Sequence, residues 1–139
     1  MSDDLASANV NRSYSLGATS IAIFTFTLIF LYPRYLTGEA NATLFQATLI
    51  VMAIATFSLV FASFHYYASS LPGRVPDADR LAYSRRGDQF WVVGTLMLFL
   101  APSLILFTIS LVGVGLAWLT LWIVYVLFVF VSFPRVRQK

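Results

Sequence analysis

The sequence predicts an all-α integral membrane protein: a single four-helix domain, residues 1–139, made of two hairpins, with a short interfacial helix between the second and third spans. Three observations predict it. The first is composition: 59% of the residues are hydrophobic and 11% are charged, against about a quarter charged in soluble domains. A soluble fold of this length exposes too much of its area to hide that apolar surface. The second is that the apolar residues fall into four runs free of Asp, Glu, Lys and Arg. The third is an asymmetric distribution of basic residues around those runs.

The first run is Ser13 to Tyr32, followed by Pro33 and Arg34 as a stop. The second is Asn41 to Ser69, with Asn41 placed to cap its start. The third is Gln89 to Ile109, interrupted by Pro102, which lacks a backbone donor and frees the Leu98 carbonyl. The fourth is Gly115 to Phe133, stopped by Pro134 and Arg135. Each is close to the ~20 residues that cross ~30 Å of hydrocarbon as a helix. Backbone groups in lipid must bond within their own segment or in a closed barrel. Sustained barrel-type alternation is missing from the runs, so they read as helices. Asp3 and Asp4 stand where a signal peptide would carry positive charge, so the first run reads as a span rather than a leader. Gly113 and Gly115 mark a tight turn between the last two spans.

Four crossings put the N-terminus, the second loop and the C-terminus on one side. That side holds Arg12, Arg74, Arg80, Arg85, Arg86, Arg135, Arg137 and Lys139; the other holds Arg34 alone. An eight-to-one excess is a positive-inside signal, and it places both termini in the cytoplasm of a cell (inner) membrane protein. The second loop has its own logic. Pro76 suits a helix start, Asp77 and Asp79 its first turn, Arg85 and Arg86 its last. Gly87 then supplies a left-handed stop and Asp88 a cap for the third span. Residues 76–86 are therefore expected as a short helix on the membrane surface, able to meet anionic lipid.

Much chemistry is excluded by what the chain lacks. It has no cysteine and one histidine, which rules out thiolate chemistry and any multi-histidine metal site within one chain. With no carboxylate inside a run, a proton- or sodium-coupled exporter is disfavoured. No catalytic residue, cofactor, metal or nucleic-acid partner is expected, and the protein is read as a non-enzyme. The net charge of +3 is accounted for by the membrane edges.

What remains is polar but uncharged. His65 lies on a helical face with Thr48, Ala55, Ser58, Ala62 and Ser69, a small-residue face of the kind that packs against other helices. Thr56, Ser58, Ser63, Thr95 and Ser103 join His65 as residues that would line a permeation path. Arg80, Arg85 and Arg86 would stand at its cytoplasmic entrance and favour anions. Ala18 and Ala22 on the first span, and Ala55 and Ala62 on the second, would pack helices in a homo-oligomer. The expected function is a small homo-oligomeric channel or facilitator for a small ion or solute. The alternative is a non-catalytic accessory or scaffold subunit with a membrane-protein partner. The bland account of the hydroxyls is bonding to a carbonyl of their own helix.

Overall fold

The computed structural model describes residues 3–71 and 75–136. Among the described residues the chain forms four helices and no strand: α1 (Asp3–Leu36), α2 (Ala42–Ser69), α3 (Asp77–Thr108) and α4 (Val112–Val136). All four contain a stretch long and apolar enough to cross a membrane. α1 and α3, at 34 and 32 residues, run about 50 Å at 1.5 Å per residue. Both are longer than the ~30 Å of a bilayer's hydrocarbon.

Both hairpin turns are built the same way. Pro33 does not end α1, since it removes only its own donor, and the helix continues one turn to Leu36. The stop comes at Gly38, whose φ of 75° is left-handed, with the Glu39 N–H donating to the Arg34 carbonyl at 2.9 Å. This is a Schellman closure. α3 ends likewise at Ser110, φ 64°, with the Leu111 N–H donating to the Leu106 carbonyl at 2.9 Å. The turn expected at Gly113 and Gly115 thus lies earlier in the chain. Both glycines are helical, and Gly115 instead admits the Phe107 ring, 2.7 Å from where a Cβ would sit. At the start of α2, Asn41 caps as expected, its Oδ1 accepting from the Leu44 N–H at 3.0 Å.

The separate surface helix expected over residues 76–86 is part of α3, which runs without a break from Asp77 to Thr108. Gly87 takes no left-handed stop, and Asp88 caps nothing. The reason is packing. A Cβ on Gly87 would lie 2.8 Å from the Tyr66 ring, so this glycine lets α2 and α3 approach closely. Gly94 does the same two turns on, where a Cβ would meet the Leu59 side chain at 2.7 Å and its backbone N at 3.1 Å.

α2 is the central helix. It packs extensively on both α1 and α3, whereas among the described residues α4 packs on α3 alone and does not meet α1. The helices thus form an open row rather than a closed bundle. Met52, Ala55, Leu59, Leu98 and Ala101 make the core between α2 and α3, with Leu16, Ile23 and Phe24 of α1 against it.

Candidate functional site

A polar cavity of ≈ 140 Å³ opens where α1, α2 and α3 meet at their charged end. Asn9, Arg12 and Ser13 line it from α1, Tyr66 from α2, and Asp88 and Trp91 from α3. The spacings explain the convergence. Residues three and four apart share a helical face, so Asn9, Arg12 and Ser13 form one edge and Asp88 and Trp91 the facing one. The apolar runs begin at Ser13 and Gln89, which puts the cavity at the boundary between apolar span and polar extension.

Its interactions are specific. The Tyr66 hydroxyl donates to the Asp88 carboxylate at 2.8 Å. The Arg12 guanidinium lies 4.5 Å from the centre of the Trp91 ring, within cation–π range. Two buried groups lack a partner: the Ser13 Oγ and the Trp91 Nε1. Ser13 is 0% exposed. An unsatisfied buried donor costs about 1–3 kcal/mol, so two on one cavity are a concentrated expense in a chain whose other hydroxyls are mostly bonded.

Those other hydroxyls include the residues expected to line a path. Thr56 donates to the Met52 carbonyl at 2.9 Å and shares a 2.8 Å bond with Ser20 across the α1–α2 contact. Ser63 donates to Leu59, Thr95 to Trp91 and Ser103 to Leu100, all within their own helices. Ser58 is buried. Ser63, Thr95 and Ser103 are likewise buried within the single chain, and Thr56 is half-buried.

His65 sits at the edge of the α2 face rather than in its middle. Its Nδ1 lies 2.8 Å from the Phe61 carbonyl; since a carbonyl only accepts, Nδ1 carries the hydrogen. The ring is flanked by Phe90 at 5.1 Å and Tyr83 at 6.0 Å. Of the expected entrance residues, Arg80 donates from Nε to the Ser69 carbonyl at 2.8 Å, closing the end of α2. Arg85 and Arg86 are exposed. Of the expected packing residues, Ala55 and Ala62 are completely buried within the single chain, while Ala18 and Ala22 are exposed on α1.

Sequence reasoning treated Arg12 only as a topological charge and Asp88 only as a cap. It did not bring together Asn9, Arg12, Ser13, Tyr66, Asp88 and Trp91. The available signal was two polar clusters with helical spacing, one at the start of the first run and one at the start of the third. It also missed the two indoles that fasten α4. Trp118 and Trp122 donate from Nε1 to the Phe99 and Leu96 carbonyls at 2.9 and 2.8 Å. Their i, i+4 spacing puts both on the face turned to α3.

No protein-family model matches the chain, and neither the curated proteins nor the solved structures compared with it gave a match.

Proposed function

We propose that this chain is a multi-pass membrane protein whose task is assembly: a non-catalytic subunit that holds a second membrane helix against the outer face of α1. Both termini face the cytoplasm, following the eight-to-one distribution of Lys and Arg.

One observation carries the reading. Among the described residues α1 packs mainly on α2 and only slightly on α3, and it leaves Ser15, Ala18, Thr19, Ala22 and Thr25 exposed, all small, beside the larger Tyr14, Ile21 and Phe26. In lipid, helix association rests on close backbone approach, and small side chains permit it. The corresponding small residues of α2, Ala55 and Ala62, are already used inside the chain, so α1 is the helix left to receive a partner. The hydroxyls of Thr56, Ser63, Thr95 and Ser103 are bonded to their own helices, which favours packing over permeation as their role.

A passive channel or facilitator is the second reading, on the observation that Ser15, Thr19 and Thr25 are exposed on that same helix. Several copies turning α1 inward would line a path with hydroxyls.

The test is extraction in mild detergent, measurement of assembly mass and reconstitution in liposomes. The wild-type chain is expected as a homo-oligomer or with a stoichiometric membrane partner, and without anion flux. Ala22→Leu should dissolve the assembly by steric overlap. A monomer with no partner would sink the assembly reading. Flux lost on Ala22→Leu would establish the channel instead.

A further inference from the structure

We propose that the cavity between Asn9, Arg12, Ser13, Tyr66, Asp88 and Trp91 is a binding site for a small zwitterion, an anionic oxyacid group joined to a primary ammonium, supplied by a phospholipid headgroup. The inference rests on the membrane reading above for its source of ligand; the chemistry of the cavity stands separately.

The donors identify one half of the ligand. The buried Ser13 hydroxyl and the buried Trp91 indole N–H have no partner within the protein, and both residues line the cavity. Arg12 lines it too, held over the Trp91 ring at 4.5 Å. A guanidinium carries its N–H donors in a planar fork, the geometry that recognises phosphate and carboxylate. Three donor groups of three chemical kinds thus meet at one place, and one carries a full positive charge. An oxyacid anion, with several acceptor oxygens, matches all three: Arg12 is exposed to it, and Ser13 and Trp91, closed to water in this structure, are reached as side chains at the wall give way.

Asp88 identifies the other half. A simple anion beside a carboxylate would be repelled. One Asp88 oxygen accepts from Tyr66, yet a carboxylate has about four lone-pair sites, so it retains acceptor capacity at the cavity wall. A primary ammonium fits that capacity with three donors, and it neutralises the charge that would otherwise oppose the oxyacid. The Asn9 amide can serve either half. A ligand carrying both charges matches the site; one carrying only the negative charge matches half of it.

Size and position fit a headgroup. At ≈ 140 Å³ the cavity resembles the ~150 Å³ engineered cavity that holds benzene, room for a group of similar bulk but not for acyl chains. It opens at the boundary where the apolar runs starting at Ser13 and Gln89 give way to polar helix. In a bilayer that is the level of phosphates and ammonium groups, and Trp91 is the residue type enriched there.

The experiment uses the full-length chain, purified in detergent, with bound lipid counted by native mass spectrometry during titration. Four probes are compared: a phosphatidylethanolamine, a phosphatidylcholine of the same chains, a phosphatidylglycerol, and water-soluble phosphoethanolamine. Phosphatidylethanolamine should bind about tenfold or more tightly than phosphatidylcholine, whose quaternary ammonium has no hydrogen to donate to Asp88, and more tightly than phosphatidylglycerol. Arg12→Gln and Asp88→Asn should each lower that affinity about tenfold or more. Ser13→Ala removes an unpaired hydroxyl and leaves the fold intact, so it reads binding without unfolding; it should weaken binding several-fold. Equal binding of the three lipids, or full affinity in Ser13→Ala and Arg12→Gln together, would overturn the site. Soluble phosphoethanolamine binding as tightly as the lipid would overturn the lipid source. Alkaline carbonate extraction of native membranes tests the membrane reading by itself, since release of the chain would refute insertion whatever the cavity binds.

Discussion

Tyr66 crosses Gly87 so closely that a Cβ there would lie 2.8 Å from the ring, and its hydroxyl then reaches the next residue, Asp88, at 2.8 Å. One side chain of α2 thereby fixes both the spacing and the register of α3. The absence of a side chain at Gly87 permits the approach, and the carboxylate at Asp88 selects where along the helix it occurs. This pair turns a stretch that resembles a helix stop into the middle of a helix.

Tyr66→Phe should keep the ring against Gly87 and remove only the hydrogen bond. The expected loss is about 1 kcal/mol, because Asp88 is half-buried and water can partly replace the donor. A double-mutant cycle with Asp88→Ala, followed by thermal unfolding in detergent, should give a coupling of at least about 0.5 kcal/mol. Additive effects would mean the bond contributes nothing.

Gly94→Val places a branched side chain where even a Cβ would meet Leu59 at 2.7 Å and its backbone N at 3.1 Å. Backbone cannot swing aside as a side chain can, so α2 and α3 must separate. Overpacking of this kind costs typically about 1–3 kcal/mol. Gly113→Ala is the control, since a Cβ there meets nothing within 4 Å; it should be neutral or slightly stabilising. Equal melting temperatures for the two variants would contradict the close contact.

Ser110→Gly should stabilise the chain. Serine holds a φ of 64° at the end of α3, and a left-handed conformation costs a residue with a Cβ roughly 1–2 kcal/mol relative to a right-handed one. Glycine relieves that but gains freedom in the unfolded state, so the net rise should be below about 1 kcal/mol. A lower melting temperature in the variant would show that the serine side chain contributes more than its backbone strain removes.

Trp118→Phe with Trp122→Phe should loosen α4. The two indole N–H bonds to the Phe99 and Leu96 carbonyls tie this helix to α3, its one neighbour among the described residues. Each such bond is worth about 0.5–1.5 kcal/mol net. Limited proteolysis in detergent should cut the double variant faster in the turn before Val112. An unchanged cutting rate would mean that apolar contact alone holds α4.

Tags at Met1 and Lys139 should both resist an external protease in sealed cells, because the Lys and Arg count is eight to one in favour of their side. Cleavage of either would overturn the proposed orientation.

Sequence alone determined that the chain is helical and that four of its runs are apolar enough to span a membrane, but it added a separate helix at 76–86 and began the first and third helices ten and twelve residues late. Helicity and apolarity are local properties: a run without charge and a capping Asn41 act within a turn or two of themselves. Even so, the ends drifted wherever a residue type had two uses. Pro33 permitted a further turn, and Gly87 served approach rather than termination. Only the tertiary structure decided which faces meet. Helices that are apolar all round carry no stripe to distinguish lipid from neighbour, because Phe57, Phe61 and Phe64 are as content facing outward as Met52 and Leu59 are packed within. Glycines and hydroxyls break that degeneracy, and they do so in pairs from different helices: Gly94 with Leu59, Ser20 with Thr56, Gly87 with Tyr66. The cavity is of the same kind. Arg12 and Asp88 are 76 positions apart, each unremarkable at its own helix edge. The packing of α1 and α3 on α2 gathers them at one opening beside the unpaired Ser13 and Trp91.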